Sequence, residues 1–238
     1  STWQGESTLQ PRPLQKVALP APSIHAMHFP GASQSAILMA RSISGLNERP
    51  ADYAGLIFNE GFGGDFTARV NMNLREDKGY TYGAYSLLYR LQRAGLFLIT
   101  SMVRRDVTAA SFQELYKEIE AIKGARPLSE DERAKMASGL LAGLPGRFER
   151  LDGVASQFAR LASRQQPLNW LSQWQAGVKS VSLDAARAAG QALLDRNALQ
   201  LFIAGDLDEI TPAITVLGLP VLRYDAEGRL EEKVEAAE

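Results

Sequence analysis

The stretch LREDKGYTYGAYS, residues 74–86, marks the passage from a predicted helix to a predicted strand. Phe66, Val70 and Leu74 recur every four residues before it, which predicts the buried face of a helix. The glycines of GFGGD separate this helix from an earlier one. The stretch therefore places an arginine close to several tyrosines at a structural junction, without a nucleophile beside them.

The second half of the stretch is predicted to begin a strand. Aromatic and β-branched residues are frequent in 80–89 and again in 95–103, so the two segments are expected to pair as antiparallel neighbours. Alternation along the first strand would place Tyr80 and Tyr82 on one face and Tyr85 on the other.

Apolar periodicity predicts the other elements of the chain. Two apolar runs on either side of Pro30-Gly31 predict a hairpin or paired strands, and Pro50 lies where the first helix opens. Further helices are predicted at 107–123, from Ser129 onward, and at 151–163, 168–176 and 183–195, and strands at 199–204 and 220–224. This pattern predicts an α+β fold, with mostly antiparallel sheet and helices packed on one side.

The chain is divided into three parts. Residues 1–22 contain four prolines and little periodicity, which is typical of an extended arm or linker. Residues 23–228 are expected to form one domain, and residues 229–238 a charged tail that frays.

The composition argues against several classes of function. The absence of cysteine among the 238 residues excludes disulfides, thiolate zinc sites and cysteine nucleophiles. A formal net charge of -1 gives no basic field for nucleic acid. No apolar run approaches the ~20 residues that a membrane span needs, and the first residues lack the basic and apolar regions of a signal peptide.

The only two histidines are candidates for a metal site. His25 and His28 lie three positions apart in a predicted strand, which directs their side chains to opposite faces. No carboxylate lies close to them in sequence, so the chain is predicted to bind no metal.

Three other candidate sites are interpreted as structural. GFGGD lies between two helices, whereas a dinucleotide-binding loop follows a strand. The acidic run 130–132 is interpreted as the first turn of a helix, where the macrodipole favours negative charge. Arg104, Arg105 and Arg147 are interpreted as surface charges.

Taken in order, these motifs resemble the inverted zinc peptidase family that includes pitrilysin and the mitochondrial processing peptidases. The matching segments are 34–40, 50–64, 74–76, 79–86 and 201–206. Members of that family enclose a chamber between two homologous halves like a clamshell, and one half binds zinc through H-x-x-E-H. This sequence contains no H-x-x-E-H and resembles the other, zinc-free half.

The resemblance implies a composite active site. The zinc-free half contributes an arginine and a tyrosine seven residues apart, and Arg75 and Tyr82 have this spacing, whereas Tyr80 lies five residues after Arg75. Arg75 would position the substrate and Tyr82 would stabilise the oxyanion. No cofactor is expected in this chain, with zinc in the partner half. The implied partners are an H-x-x-E-H-bearing homologous subunit or domain and an unstructured peptide substrate.

The resemblance also implies an internally duplicated unit, whose first half would end near Gly124, and a chain that is inactive by itself. Two alternatives remain on the same fold: a purely structural subunit, and a peptide-binding module without catalysis. Because bacterial relatives are often exported, a periplasmic location is expected, with the cytoplasm as the alternative.

Overall fold

Seven strands form one mixed sheet in the computed structural model, which describes residues 21–46 and 52–234. The strands are β1 (Ile24–His28), β2 (Gln34–Ile43), β3 (Thr81–Arg90), β4 (Gly95–Arg104), β5 (Gln200–Gly205), β6 (Val221–Tyr224) and β7 (Leu230–Val234). Their order across the sheet is β3-β4-β2-β5-β1-β6-β7. Only β1 makes parallel pairs, with β5 and β6, so the predicted mostly antiparallel α+β fold is confirmed.

The helices occupy most of the sequence between β4 and β5. Their bounds are α1 (Tyr53–Asn59), α2 (Arg69–Asn71), α3 (Thr108–Lys123), α4 (Glu130–Ala142), α5 (Leu151–Ser163), α6 (Trp170–Ser180), α7 (Leu183–Leu193) and α8 (Leu207–Ile214). The predicted capping box at Ser129 is present, with reciprocal hydrogen bonds between Ser129 and Glu132. Across the described residues, no helix is both long and apolar enough to cross a membrane.

The main core lies between one face of the sheet and the helices. Ile37 of β2, Phe97 of β4 and Ile203 of β5 point to this face and are buried in the same cluster as Phe112 and Leu115 of α3. A second cluster joins α1, α4, α6 and α7 through side chains that include Ile57, Leu128, Trp174, Val178 and Ala186. This arrangement confirms the prediction that the helices pack on one side.

The predicted pairing of the first two strands is wrong. β5 lies between β1 and β2, parallel to β1 and antiparallel to β2. The backbone of a buried strand needs hydrogen-bond partners along both edges, and β1 and β2 supply them to β5. Residues 29–33 must then bridge two strand spacings, about 10 Å, which five residues of chain can do.

The predicted helix break at GFGGD is only partly correct. α1 continues as a π-helical turn, Glu60–Gly64, so the glycines lie inside the helical segment. Gly63 packs directly on β3, because a Cβ at this position would lie 2.7 Å from the backbone nitrogen of Ser86. The glycine therefore allows the helical turn to touch the strand.

Several predictions concern the ends of the domain. Residues 1–20 of the predicted arm, and Pro50, lie outside the described residues. The tail that was expected to fray instead contains β7, which pairs antiparallel with β6. The charged side chains of 231–233 therefore belong to an edge strand, where charge opposes pairing with other chains. The sheet does not divide into two separate halves, because β5 from the expected second half lies between β1 and β2 of the first. The internal duplication stays a prediction.

Truncation of the core should be far more costly than truncation on the surface. Phe112 is 0% exposed, and Phe112→Ala should reduce the free energy of unfolding by about 3–5 kcal/mol. Phe158 on α5 is 54% exposed, and Phe158→Ala is the matched control, with an expected change of about 0.5 kcal/mol or less. Urea unfolding followed by circular dichroism measures both values. Equal losses in the two variants would contradict the described core.

Candidate functional site

The stretch 74–86 runs from a helical turn through a glycine turn into an edge strand. α2 continues as a π-helical turn, Met72–Asp77, which ends with Arg75 in its last turn. Gly79 follows at φ +64°, a left-handed conformation that favours glycine, and β3 begins two residues later. The predicted order of helix, turn and strand is confirmed.

Arg75 and Tyr82 line the same cleft, which has a volume of about 490 Å³. The other residues that line the cleft are Gln34, Glu76, Gly79, Tyr80, Thr81 and Arg104. The helical turn, β2, β3 and the end of β4 thus all contribute. The cleft contains two arginines, two tyrosines and one carboxylate.

The guanidinium of Arg75 has donors that the described residues do not use. Its Nε lies 3.5 Å from Oε1 of Glu76, and its Cζ lies 4.5 Å from the ring centroid of Phe66, a cation–π contact. Its Nη1 is buried and has no hydrogen-bond partner within the described ranges. A guanidinium carries five N–H donors and the Arg75 side chain is one-third exposed, so its exposed part can bind an additional acceptor.

Tyr80 and Tyr82 point in different directions, which corrects the prediction that they share a face. Tyr80 packs against the main core, whereas Tyr82 is 92% exposed. Tyr80 precedes the strand, which begins at Thr81, so strand alternation does not relate it to Tyr82. A β-bulge then follows, because β3 has two residues between Thr81 and Ala84 where β4 has only Met102. Tyr82 consequently lines a second, shallow cavity together with Tyr85, the residue expected on the opposite face.

Buried asparagines fasten the helical segments to β3. Asn71 accepts a hydrogen bond from the backbone N–H of Ala84 (3.0 Å) and donates to the carbonyl of Phe66 (2.7 Å). Asn59 donates to the carbonyl of Ser86 (3.2 Å) and accepts from the Ser86 hydroxyl (2.9 Å). Sequence analysis missed both residues, although an asparagine in an otherwise apolar helical pattern is a signal of such a role.

The segment that carries Arg75 is also attached to α3. Asn73 donates to Glu118 at 2.8 Å, and Lys78 lies 3.6 Å from Glu114. Burial alone would raise the pKa of Glu114, but hydrogen bonds from Lys117 and Asn73 outweigh it and hold this pKa below its ordinary value. Glu114 therefore stays ionised and holds the positively charged end of the turn.

Arg104 is exposed, as the sequence analysis expected, but it also lines the cleft. Its Nε donates to Asp106 (3.1 Å) and its Nη1 donates to the carbonyl of Gly79 (3.3 Å). The hydrogen bond to Asp106 raises the pKa of Arg104. Arg104 therefore ties the glycine turn to β4 and adds a second permanent positive charge to the cleft.

The structure brings two carboxylates to His28 that are not its neighbours in sequence. Asp206 and Asp208 could form a metal-binding group with it by distance. However, Nδ1 of His28 accepts a hydrogen bond from the backbone N–H of Leu207 (3.0 Å), so a neutral ring carries its proton on Nε2, which faces Asp208. Asp206 is already bound by Gly31 and Arg105. This arrangement fits the start of α8 and does not fit a metal site.

His25 lies away from α8. Its ring stacks on Phe202 at a centroid distance of 4.8 Å and on Tyr224 at 5.6 Å. Nδ1 lies 3.0 Å from the Tyr224 hydroxyl, and Nε2 lies 3.1 Å from that of Ser23. The two histidines therefore have separate surroundings, as their spacing predicted.

The comparisons with known proteins agree with the resemblance seen in the sequence. Residues 1–140 match the family described as the peptidase M16 inactive domain. The fold is similar to the peptidase M16 inactive domain from Pseudomonas fluorescens, with a TM-score of 0.72 and 20% identity, over 82% of this chain and 46% of that one. The inactive peptidase domain of a proposed zinc protease from Bordetella parapertussis gives a TM-score of 0.62 and 14% identity, over 73% and 93%.

A third similar structure is the periplasmic protease PqqL from Escherichia coli. Its TM-score is 0.65 and its identity 13%, over 84% of this chain and 22% of that one. This chain thus spans less than half the length of the Pseudomonas fluorescens chain. At these identities the structural likeness shows the fold alone, and a comparison with curated protein sequences finds no match.

The family match and the fold point to the same conclusion. The match covers 140 of 238 residues and includes the cleft-forming segments of β2 and β3 as well as the end of β4. The chain therefore belongs to the peptidase M16 family, in which it corresponds to the inactive domain.

Proposed function

We propose that this chain completes the active site of a two-part zinc peptidase by supplying Arg75 and Tyr82. The observation that carries the proposal is the exposure of Tyr82 in the same cleft as Arg75, whose side chain is one-third exposed. A tyrosine that is 92% exposed contributes little to its own fold. Its hydroxyl is free to meet a group that arrives from outside.

The proposed role of Tyr82 is to stabilise charge. Hydrolysis of a peptide bond develops negative charge on the carbonyl oxygen, and a fixed hydroxyl donor lowers the energy of that state. No hydrogen bond from the Tyr82 side chain to another described residue competes for this proton. The partner half, through its zinc when bound, would supply the activated water.

The proposed role of Arg75 is to orient the peptide. A planar guanidinium can hold a carbonyl or a carboxylate through two parallel N–H bonds, and this fixes direction as well as distance. Phe66 supports the guanidinium from one face and Glu76 from its Nε side. Its remaining donors are then available for the substrate.

The partner follows from the family. Inactive domains of this kind pair with a homologous half, and this chain spans less than half of the Pseudomonas fluorescens chain. We therefore infer that a homologous domain carrying H-x-x-E-H, on the same or a separate polypeptide, encloses an unstructured peptide with this one. The similarity to the periplasmic PqqL supports a periplasmic location.

Two conservative substitutions test the site in the assembled peptidase. With the H-x-x-E-H partner and zinc, Tyr82→Phe should lower kcat roughly 100- to 1,000-fold, the cost of one lost oxyanion donor. Arg75→Lys keeps the charge but loses the planar fork, so kcat/KM should fall roughly tenfold or more. Cleavage of unstructured peptides measures both effects.

The matched controls are Tyr89→Phe, an exposed tyrosine farther along β3, and Arg150→Lys, a surface arginine; both should retain parental rates. Parental activity in Arg75→Lys and Tyr82→Phe would refute the catalytic role and support a purely structural subunit. Peptide binding by this chain without any partner would support a binding module.

The proposal also predicts that Tyr82 is dispensable for stability. Because its side chain is 92% exposed, Tyr82→Ala should change the free energy of unfolding by about 0.5 kcal/mol or less. Tyr80→Ala removes a ring that packs on the core and should be clearly more destabilising. Urea unfolding of the isolated chain provides the comparison, and a large loss for Tyr82→Ala would contradict the described orientation.

A further inference from the structure

We propose that Thr81 and Ser101 are positioning residues, whose hydroxyl groups hold the β-bulge that directs Tyr82 into the cleft. The inference rests on the proposed function of Tyr82 and names the groups that make its orientation possible. Neither residue contacts the substrate in this proposal. They act through the backbone of Gly83.

The bulge places one extra residue in β3 relative to β4. Thr81 pairs with Val103, and the next pair is Ala84 with Ser101, so Tyr82 and Gly83 together oppose only Met102. The N–H and C=O of Gly83 thereby lose their regular partners on β4. Buried or half-buried backbone groups need replacements, which the two hydroxyl groups provide.

The two hydroxyl groups lie 2.9 Å apart, and that of Thr81 also lies 3.0 Å from the carbonyl of Gly83. The Thr81 hydroxyl lies 2.6 Å from the carbonyl of Met102 and 3.0 Å from the N–H of Gly83. The Ser101 hydroxyl lies 2.9 Å from the carbonyl of Gly83. If Thr81 donates to Met102 and accepts from Gly83 while Ser101 donates to Gly83, each hydroxyl proton is used once and both backbone groups of Gly83 have a partner.

The consequence concerns the direction of Tyr82. Side chains two residues apart on a regular strand share a face, so without the bulge Tyr82 would lie on the same side as Ala84. Ala84 is fully buried among core residues on the helix side. The extra residue instead turns Tyr82 outward, into the cavity that it shares with Tyr85.

Two further contacts involve the residues at the end of the bulge, Gly83 and Ala84. The N–H of Ala84 is held by Asn71 from the helical side, which fixes the residue after the bulge. A Cβ at Gly83 would lie 2.8 Å from the hydroxyl oxygen of Tyr85, so the position accepts no larger side chain without displacing that ring. The two hydroxyl groups thus act next to Ala84, a residue that Asn71 holds in place.

The first test uses the assembled peptidase. Thr81→Val keeps the shape of the side chain and removes the hydroxyl, and it should lower kcat roughly 10- to 100-fold, since a misplacement of 1 Å can cost about 100-fold. KM should stay within about twofold, because Arg75 is untouched. Thr81→Ser retains the hydroxyl and should restore the rate, and Ser101→Ala should resemble Thr81→Val.

The control is Thr215→Val, which removes a hydroxyl that donates to the carbonyl of Pro212 in the last turn of α8; Thr215 does not line the cleft. A double variant, Thr81→Val with Tyr82→Phe, should be no slower than Tyr82→Phe alone, since both changes affect the same donor. Additive losses would overturn the positioning role, because Thr81 would then act independently of Tyr82.

A second test needs neither partner nor substrate. The isolated chain can be labelled with 3-fluorotyrosine, and Tyr82→Phe assigns one of the seven tyrosine resonances. Thr81→Val should shift or broaden that resonance, whereas Thr81→Ser and Thr215→Val should not. An unchanged resonance with normal kcat overturns the inference. If Tyr82→Phe is itself fully active, the proposed function fails instead, and the resonance still shows whether Thr81 holds Tyr82.

Discussion

The position of β5 between β1 and β2 is the constraint on which the rest of the structure depends. Leu201 and Ile203 pair with residues of β1 on one side and of β2 on the other, across more than 150 positions of sequence. Without β5, the strands that carry the cleft would be separated from β1, β6 and β7. The helices between β4 and β5 form the layer that packs on the completed sheet. Contacts of such long range favour slow, cooperative folding.

Local signals in the sequence predicted most elements but not their arrangement. α3, α4, β3 and β4 follow from periodicity, a capping box and β-branched composition, which act within a few residues. The order of strands in the sheet depends on pairing between distant segments, and no local pattern carries it. The association of His28 with Asp206 and Asp208 was missed for the same reason.

In the candidate site, too, the sequence predicted the local features but not those that depend on distant segments. The spacing of Arg75 and Tyr82 was visible in the sequence, and both line one cleft. The bulge at Tyr82 and Gly83 was not visible, because its hydrogen bonds involve hydroxyl groups on two strands and an amide on a helical segment. Alternation alone therefore gave the wrong face for Tyr85. Arg104 was interpreted as an ordinary surface charge, since nothing local shows that β4 ends beside Gly79.

The asparagine contacts along β3 limit the strand pairing that its free edge can offer. β3 is an edge strand, and an edge normally offers free N–H and C=O groups to an additional strand. Here the N–H of Ala84 and the carbonyl of Ser86 are already bound to Asn71 and Asn59. The opposite edge of the sheet, β7, lies six strand spacings away, about 29 Å. In the proposed complex, a peptide held against Tyr82 would not extend this sheet past Ala84, and any further strand pairing would come from the proposed facing half.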